Sequence, residues 1–140
     1  MKYISAFFIA FVLLTMQSCL EKSGQAQNKN NDQPVQVLDV AGFEKKLAET
    51  ADKTILDVRT QPEYEQGHLK NSVLMDVKQD GFKTKVNTLD KSKPVFVYCA
   101  AGIRSKKAAT ILKEQGFKEV YHMDGGIEEW EKENKPVTKN

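Results

Sequence analysis

Five short apolar runs punctuate the chain beyond residue 34, at Val35–Leu38, Ile55–Val58, Val73–Val77, Val95–Tyr98 and Val120–Met123. Each is rich in Val, Ile, Leu or aromatic side chains, and most lack polar alternation. That is the pattern of strands buried on both faces. Segments with helical spacing lie between them. Val40, Phe43 and Leu47 recur at i, i+3 and i+7 behind Asp39, a side chain suited to capping a helix N-terminus. Ala108, Ile111 and Leu112 mark one face of a helix from about Arg104 to Gln115, with Gly116 as its C-terminal stop. Ile127 and Trp130 set a last helix, and Pro62–Gln66 and Phe82–Leu89 predict two short ones. Strands alternating with helices predict an α/β fold with a doubly wound parallel sheet of about five strands, flanked by helices. Sites in such sheets form just beyond the carboxyl ends of strands.

The first residues follow a different pattern. Met1, Lys2 and Tyr3 precede an apolar run from Ile4 to Met16, broken only by Ser5 and Thr15. The run falls short of the roughly 20 apolar residues that span a bilayer, so residues 1–18 read as an export signal. Ser18 followed by Cys19 resembles the end of a bacterial lipoprotein signal, which implies lipidation of Cys19 as the first mature residue. Met16, where leucine is commonest, and the bulky Gln17 depart from that pattern. An ordinary cleaved secretory signal and an uncleaved anchor are the alternatives. Residues Glu21 to Gln33 hold no aromatic, β-branched or leucine side chain and cannot bury enough apolar surface to fold. Residues 19–34 are therefore expected to be a tether and 35–137 the folded domain. The expected location is the bacterial cell envelope, membrane-anchored through lipid, with the domain facing the periplasm.

Composition narrows the function. A chain of 140 residues allows one domain. Its 21 basic and 19 acidic side chains leave a net charge of +2, which argues against a nucleic-acid partner. Two cysteines and two scattered histidines are too few for a closed zinc site, so neither metal nor cofactor is expected. A monomer is the expected state.

The chemistry gathers after the fourth apolar run. Tyr98 leads directly into Cys99, then Ala100-Ala101-Gly102-Ile103-Arg104-Ser105 and the helix. A thiol at a strand end, before a short turn into a helix, sits where backbone N–H groups converge and favour an anion. Arg104, Lys106 and Lys107 add positive charge nearby, so the thiol is expected to ionise more readily than a free cysteine. The bland alternative is a small buried hydrophobe, the usual fate of an unpaired cysteine.

Three motifs in order make the domain resemble a single-domain rhodanese, a sulfurtransferase family. Asp57-Val58-Arg59 with Glu63-Tyr64 and Gly67-His68-Leu69, running on to Asn71-Ser72, resembles the family's first signature. Cys99 to Ser105 is similar to its active-site loop, C-x-x-G-x-R-S, and Gly125-Gly126 with Trp130 to its closing G-G-x-x-x-W. The resemblance implies a catalytic Cys99 that takes sulfane sulfur from a small-molecule or protein persulfide donor. A thiol or other thiophilic acceptor then collects it. The loop Ala100, Ala101, Gly102, Ile103, Arg104 and Ser105 would cradle the charge. Asp57, Arg59, Glu63 and His68 would support it, the charged ones as buried or half-buried pairs. Gly125-Gly126 most simply makes a tight turn, with close approach of the backbone to the pocket as the weaker reading. Trp130 is expected to pack in the core, with lining of the substrate rim second. His122 carries no functional expectation.

Related phosphatases share this fold but use C-x5-R, whereas Cys99 to Arg104 is the tighter C-x4-R. A thiol-dependent phosphatase or arsenate reductase is therefore the weaker alternative, as is a non-catalytic binding module. Ala100 and Ala101 depart from relatives that place a basic or polar side chain after the cysteine. Weak use of thiosulfate is expected to follow.

Overall fold

The structure, a computed structural model, describes residues 34–139. The expected signal, Cys19 and nearly all of the tether lie outside the described residues. In chain order the elements are β1 (Gln36–Leu38), α1 (Val40–Glu49), β2 (Thr54–Asp57), α2 (Gln61–Gln66) and β3 (Val73–Leu74). There follow α3 (Phe82–Val86), β4 (Val95–Tyr98), α4 (Ile103–Glu114), β5 (Val120–Met123) and α5 (Gly126–Lys132). The strands make one sheet in the order β1-β5-β4-β2-β3. All four pairings are parallel. The predicted α/β architecture is the observed one.

Local chemistry explains the helix starts. The Asp39 carboxylate accepts the Gly42 N–H at 2.8 Å and caps α1. Thr60 and Glu63 form a capping box on α2, with Pro62 in its first turn. Two elements are three residues shorter than predicted. β3 ends at Leu74 although Met75 N–H still bonds the Asp57 carbonyl at 2.8 Å. Asp76 then accepts the Lys78 N–H at 2.9 Å, and the chain turns away from the sheet. α3 ends at Val86, because Thr88 and Leu89 donate to residues three back, the spacing of turns rather than of an α-helix.

The two central strands, β4 and β5, are buried throughout. Their pleat deals residues alternately to two cores. Val95, Val97 and Cys99 pack toward α3 and α4 with Val86, Ala108 and Leu112. Phe96 and Tyr98 pack toward α1 and α5 with Phe43, Ile127 and Trp130. Phe96 meets Phe43 edge-on at 5.3 Å and stacks on Tyr121 at 4.7 Å. Full burial of one such side chain contributes about 1.5–3 kcal/mol. The same alternation decides which face of the sheet receives Cys99.

Candidate active site

Cys99 follows the last residue of β4 and keeps its parity, so its side chain falls among Val97, Ala108 and Ala109. The residue is only 1% exposed. Above it the chain turns through Ala100, Ala101 and Gly102 into α4. Gly102 has φ +91°, the left-handed region, and a Cβ there would lie 3.3 Å from the Gly125 nitrogen. This turn brings the Gly102 N–H back to Cys99 Sγ at 3.2 Å. One helical turn on, Ser105 Oγ lies 3.4 Å from the same sulfur. The sulfur thus has hydrocarbon beneath it and two donors on its loop side, at the N-terminal end of a 12-residue helix. It faces both hydrogen-bond donors and the positive end of the helix dipole.

The other side of the loop is held by α5. Ile127 N–H donates to the Cys99 carbonyl at 2.9 Å and Glu128 N–H to the Ala100 carbonyl at 3.0 Å. That approach is possible only because residue 126 lacks a side chain. A Cβ on Gly126 would sit 2.3 Å from the Ala100 oxygen and 2.5 Å from the Cys99 oxygen. The Gly125-Gly126 pair therefore does more than turn the chain. Trp130 is core, as expected, with its indole N–H donated to the Pro136 carbonyl at 3.0 Å.

Arg104 does not turn toward the sulfur. Its guanidinium makes a two-pronged pair with Glu63, Nη1 to Oε2 at 2.8 Å and Nη2 to Oε1 at 2.5 Å. That pair, joined by the Thr60 hydroxyl and N–H, holds the Glu63 carboxyl far below the usual carboxylate range. Hydrogen bonding to Glu63 also raises Arg104, whereas the Cys99 charge acts on it only as a lesser contribution through space. The sequence places a cation five residues from the thiol, but the helix aims it across to α2. Exposed Lys106 and Lys107 make no bond to the sulfur either.

The residues of the first signature lie together between β2 and the end of α2. Arg59 Nη2 donates to Asp57 at 2.7 Å and to the Gly67 carbonyl at 2.7 Å, a buried pair tying β2 to the end of α2. His68 stacks on Tyr64 at 3.8 Å, and its Nδ1 lies 3.0 Å from the Tyr64 carbonyl. Tyr98 accepts the Leu69 N–H at 3.1 Å and donates to Ser72 at 3.2 Å; burial raises its phenol well above the ordinary value. These contacts hold the frame rather than touch the sulfur. A cleft of about 300 Å³ opens beside Ala100, bordered by Arg59, Glu63, Glu128 and Glu131. Arg59 and Glu63 are already paired. Glu128 and Glu131 make no ion pair among the described residues, so the cleft is negative.

One residue against the loop carried no expectation from the sequence. His122, in β5, is buried and lies 3.0 Å from the Gly102 carbonyl. Its signal was parity: it stands two residues after Val120, which faces the Cys99 side of the sheet. Among the described residues no group of three or more His, Cys, Asp or Glu side chains is arranged to hold a metal ion.

Residues 39–133 match the profile of the rhodanese-like domain family. The chain belongs to that family. This rhodanese-like domain is 45% identical over 85 residues to the thiosulfate sulfurtransferase GlpE of Coxiella burnetii, across 60% of this chain and 77% of that protein. It is 41% identical over 86 residues to a tRNA uridine(34) hydroxylase of Cytophaga hutchinsonii, although it spans only 28% of that protein's length. A rhodanese-related protein from Thermoplasma volcanium has the same fold, with a TM-score of 0.66 at 28% identity. That match covers 75% of this chain and 99% of the other. At family level the domain is a rhodanese-type transferase.

Proposed function

We propose that this rhodanese-like domain moves sulfane sulfur through a persulfide on Cys99. The carrying observation is the sulfur held between the Gly102 N–H and the Ser105 hydroxyl at the start of α4. The Cys99 thiolate attacks the outer sulfur of a persulfide donor. The donor's S–S bond breaks, and its inner sulfur leaves as a thiolate with the bonding pair. An acceptor thiolate then attacks the outer sulfur of the Cys99 persulfide, and Cys99 departs as a thiolate again. The product is the acceptor's persulfide, with no net oxidation. An ionised thiol needs no general base at any step. Backbone N–H groups of the loop act on the persulfide anion as an oxyanion hole acts on oxygen.

Two features refine the substrate. Cys99 is buried, so a donor reaches it past Ala100 and Ala101, which present the smallest rim that side chains allow. The negative cleft beside Ala100 repels thiosulfate, a dianion, and suits a persulfide of lower charge. A phosphatase reading is disfavoured because Arg104 is spent on Glu63 and offers no free fork to a phosphate. The same proposal takes the chain to be a monomer held at the cell envelope by lipid on Cys19, with the domain in the periplasm. The signal-like first residues support it, and fatty-acid labelling lost in Cys19→Ser tests it.

Incubation with inorganic polysulfide followed by intact mass spectrometry tests the transfer. The expected result is a one-sulfur adduct that cyanide removes and that Cys99→Ser lacks. An unmodified wild-type chain would instead favour a binding module that kept the fold without the reaction.

A further inference from the structure

His122 is 3% exposed, and its Nε2 faces the Gly102 carbonyl at 3.0 Å. A carbonyl only accepts, so Nε2 carries the hydrogen and Nδ1 is a bare lone pair. Among the described residues Nδ1 has no partner, although it is fully buried. Burial, the leading influence, lowers the affinity of this imidazole for a second proton, and Lys106 acts the same way; the bond to the Gly102 carbonyl and the Asp124 charge oppose it, and the net direction is downward. A neutral ring is consistent with the site, since an added Nδ1–H would find no acceptor there. An orphaned buried acceptor is costly to keep, which points to a use for the opposite nitrogen.

The use follows from counting lone pairs. The Gly102 carbonyl lies 3.0 Å from three donors: the Lys106 N–H, His122 Nε2 and Ser105 Oγ. A carbonyl oxygen offers two lone pairs. Ser105 has one hydroxyl proton and two acceptors in reach, that carbonyl and Cys99 Sγ at 3.4 Å. With Lys106 and His122 filling the carbonyl, the serine proton turns to the sulfur. We propose that His122 is a positioning residue that directs the Ser105 hydroxyl onto Cys99 Sγ and so strengthens the loop's hold on anionic sulfur. The inference rests on the sulfur-transfer reading for its purpose, but its geometry acts on the thiolate whether or not transfer occurs.

The pH profile of Cys99 alkylation by iodoacetamide tests this, followed in the full chain at the Cys99 peptide by mass spectrometry. The variants are His122→Phe, which loses the donor, and His122→Gln, whose amide reaches as far as Nε2. Ser105→Ala and the double variant Ser105→Ala/His122→Phe complete the set. In His122→Phe the midpoint should rise by about one pH unit, tenfold less thiolate on the rising limb, the scale of one charge-assisted hydrogen bond. His122→Gln should stay near wild type. Ser105→Ala should rise like His122→Phe, and the double variant should rise no further. The melting temperature of His122→Phe should not fall, because phenylalanine removes the orphaned Nδ1; a purely structural histidine would give the reverse. Should His122→Phe fail to fold, His122→Asn, whose amide is too short for the Gly102 oxygen, replaces it. An unshifted midpoint in the folded variant, or full additivity with Ser105→Ala, overturns the proposal. The expected shift with no persulfide adduct overturns the transfer reading alone.

Discussion

Replacing Gly126 by alanine isolates the clamp between α5 and the loop. The methyl group would be built 2.3 Å from the Ala100 oxygen and 2.5 Å from the Cys99 oxygen, both backbone atoms that cannot swing aside. The loop or the helix start must then move, and the bonds from Ile127 N–H and Glu128 N–H to those oxygens are lost. Two such bonds are worth about 1 kcal/mol each. The residue's φ of +60° adds about 1 kcal/mol for any side chain. Gly116 supplies the control: its φ is +90° and nothing lies within 4 Å of a Cβ there. Gly116→Ala should therefore cost only the conformational part, about 1 kcal/mol. Urea unfolding of both variants should show Gly126→Ala less stable by about 2 kcal/mol, or roughly 8–16 °C in melting temperature. Cys99 alkylation should follow: near wild type in Gly116→Ala, with an altered rate in Gly126→Ala. Equal destabilisation of the two variants would refute the reasoning, since only close backbone approach distinguishes them.

Glu63 gives a pH prediction. Its carboxyl is depressed mainly by Arg104, so its stabilising contribution is complete above the ordinary carboxylate range and is lost as pH falls below it. Glu63→Gln should therefore flatten the acid side of the stability curve between roughly pH 5 and pH 2, read by melting temperature against pH. The negative cleft gives another. Glu128→Gln/Glu131→Gln should lower the KM for thiosulfate by about three- to tenfold, with little change for a neutral trisulfide donor, read by sulfur transfer to cyanide. An equal gain for both donors would mean that the carboxylates obstruct by shape and not by charge.

The central strands were legible because they are buried on both faces, where apolar runs have no competing reading; β4 and β5 begin and end where their runs do. β3 was overestimated because Met75 and Val77 are apolar and still bond Asp57 and Val58, while the turn rests on the Asp76 carboxylate. The position of Cys99 beside an N–H-lined turn could be read from strand, glycine and helix in succession. The aim of Arg104 could not, because its partner lies 41 residues away and only the fold brings α2 across from α4. The close approach of Gly126 to the loop was open to the sequence only as the weaker reading of a glycine pair, because the carbonyls it meets lie more than 25 residues away. His122 looked like any lone histidine, since its relation to Gly102 spans 20 residues and depends on strand parity.

The uniform direction of the strands has one more consequence. Cys99 follows the carboxyl end of β4, whereas the chain enters the sheet at Gln36, the amino end of its edge strand β1. The two points therefore lie toward opposite ends of the sheet: Gln36 is level with Phe96 through Tyr121, which sets Cys99 three residues, about 10 Å, further along the strand direction. The chain before Gln36 joins the sheet at the end away from the thiol, and leaves the loop after β4 unobstructed by its own entry.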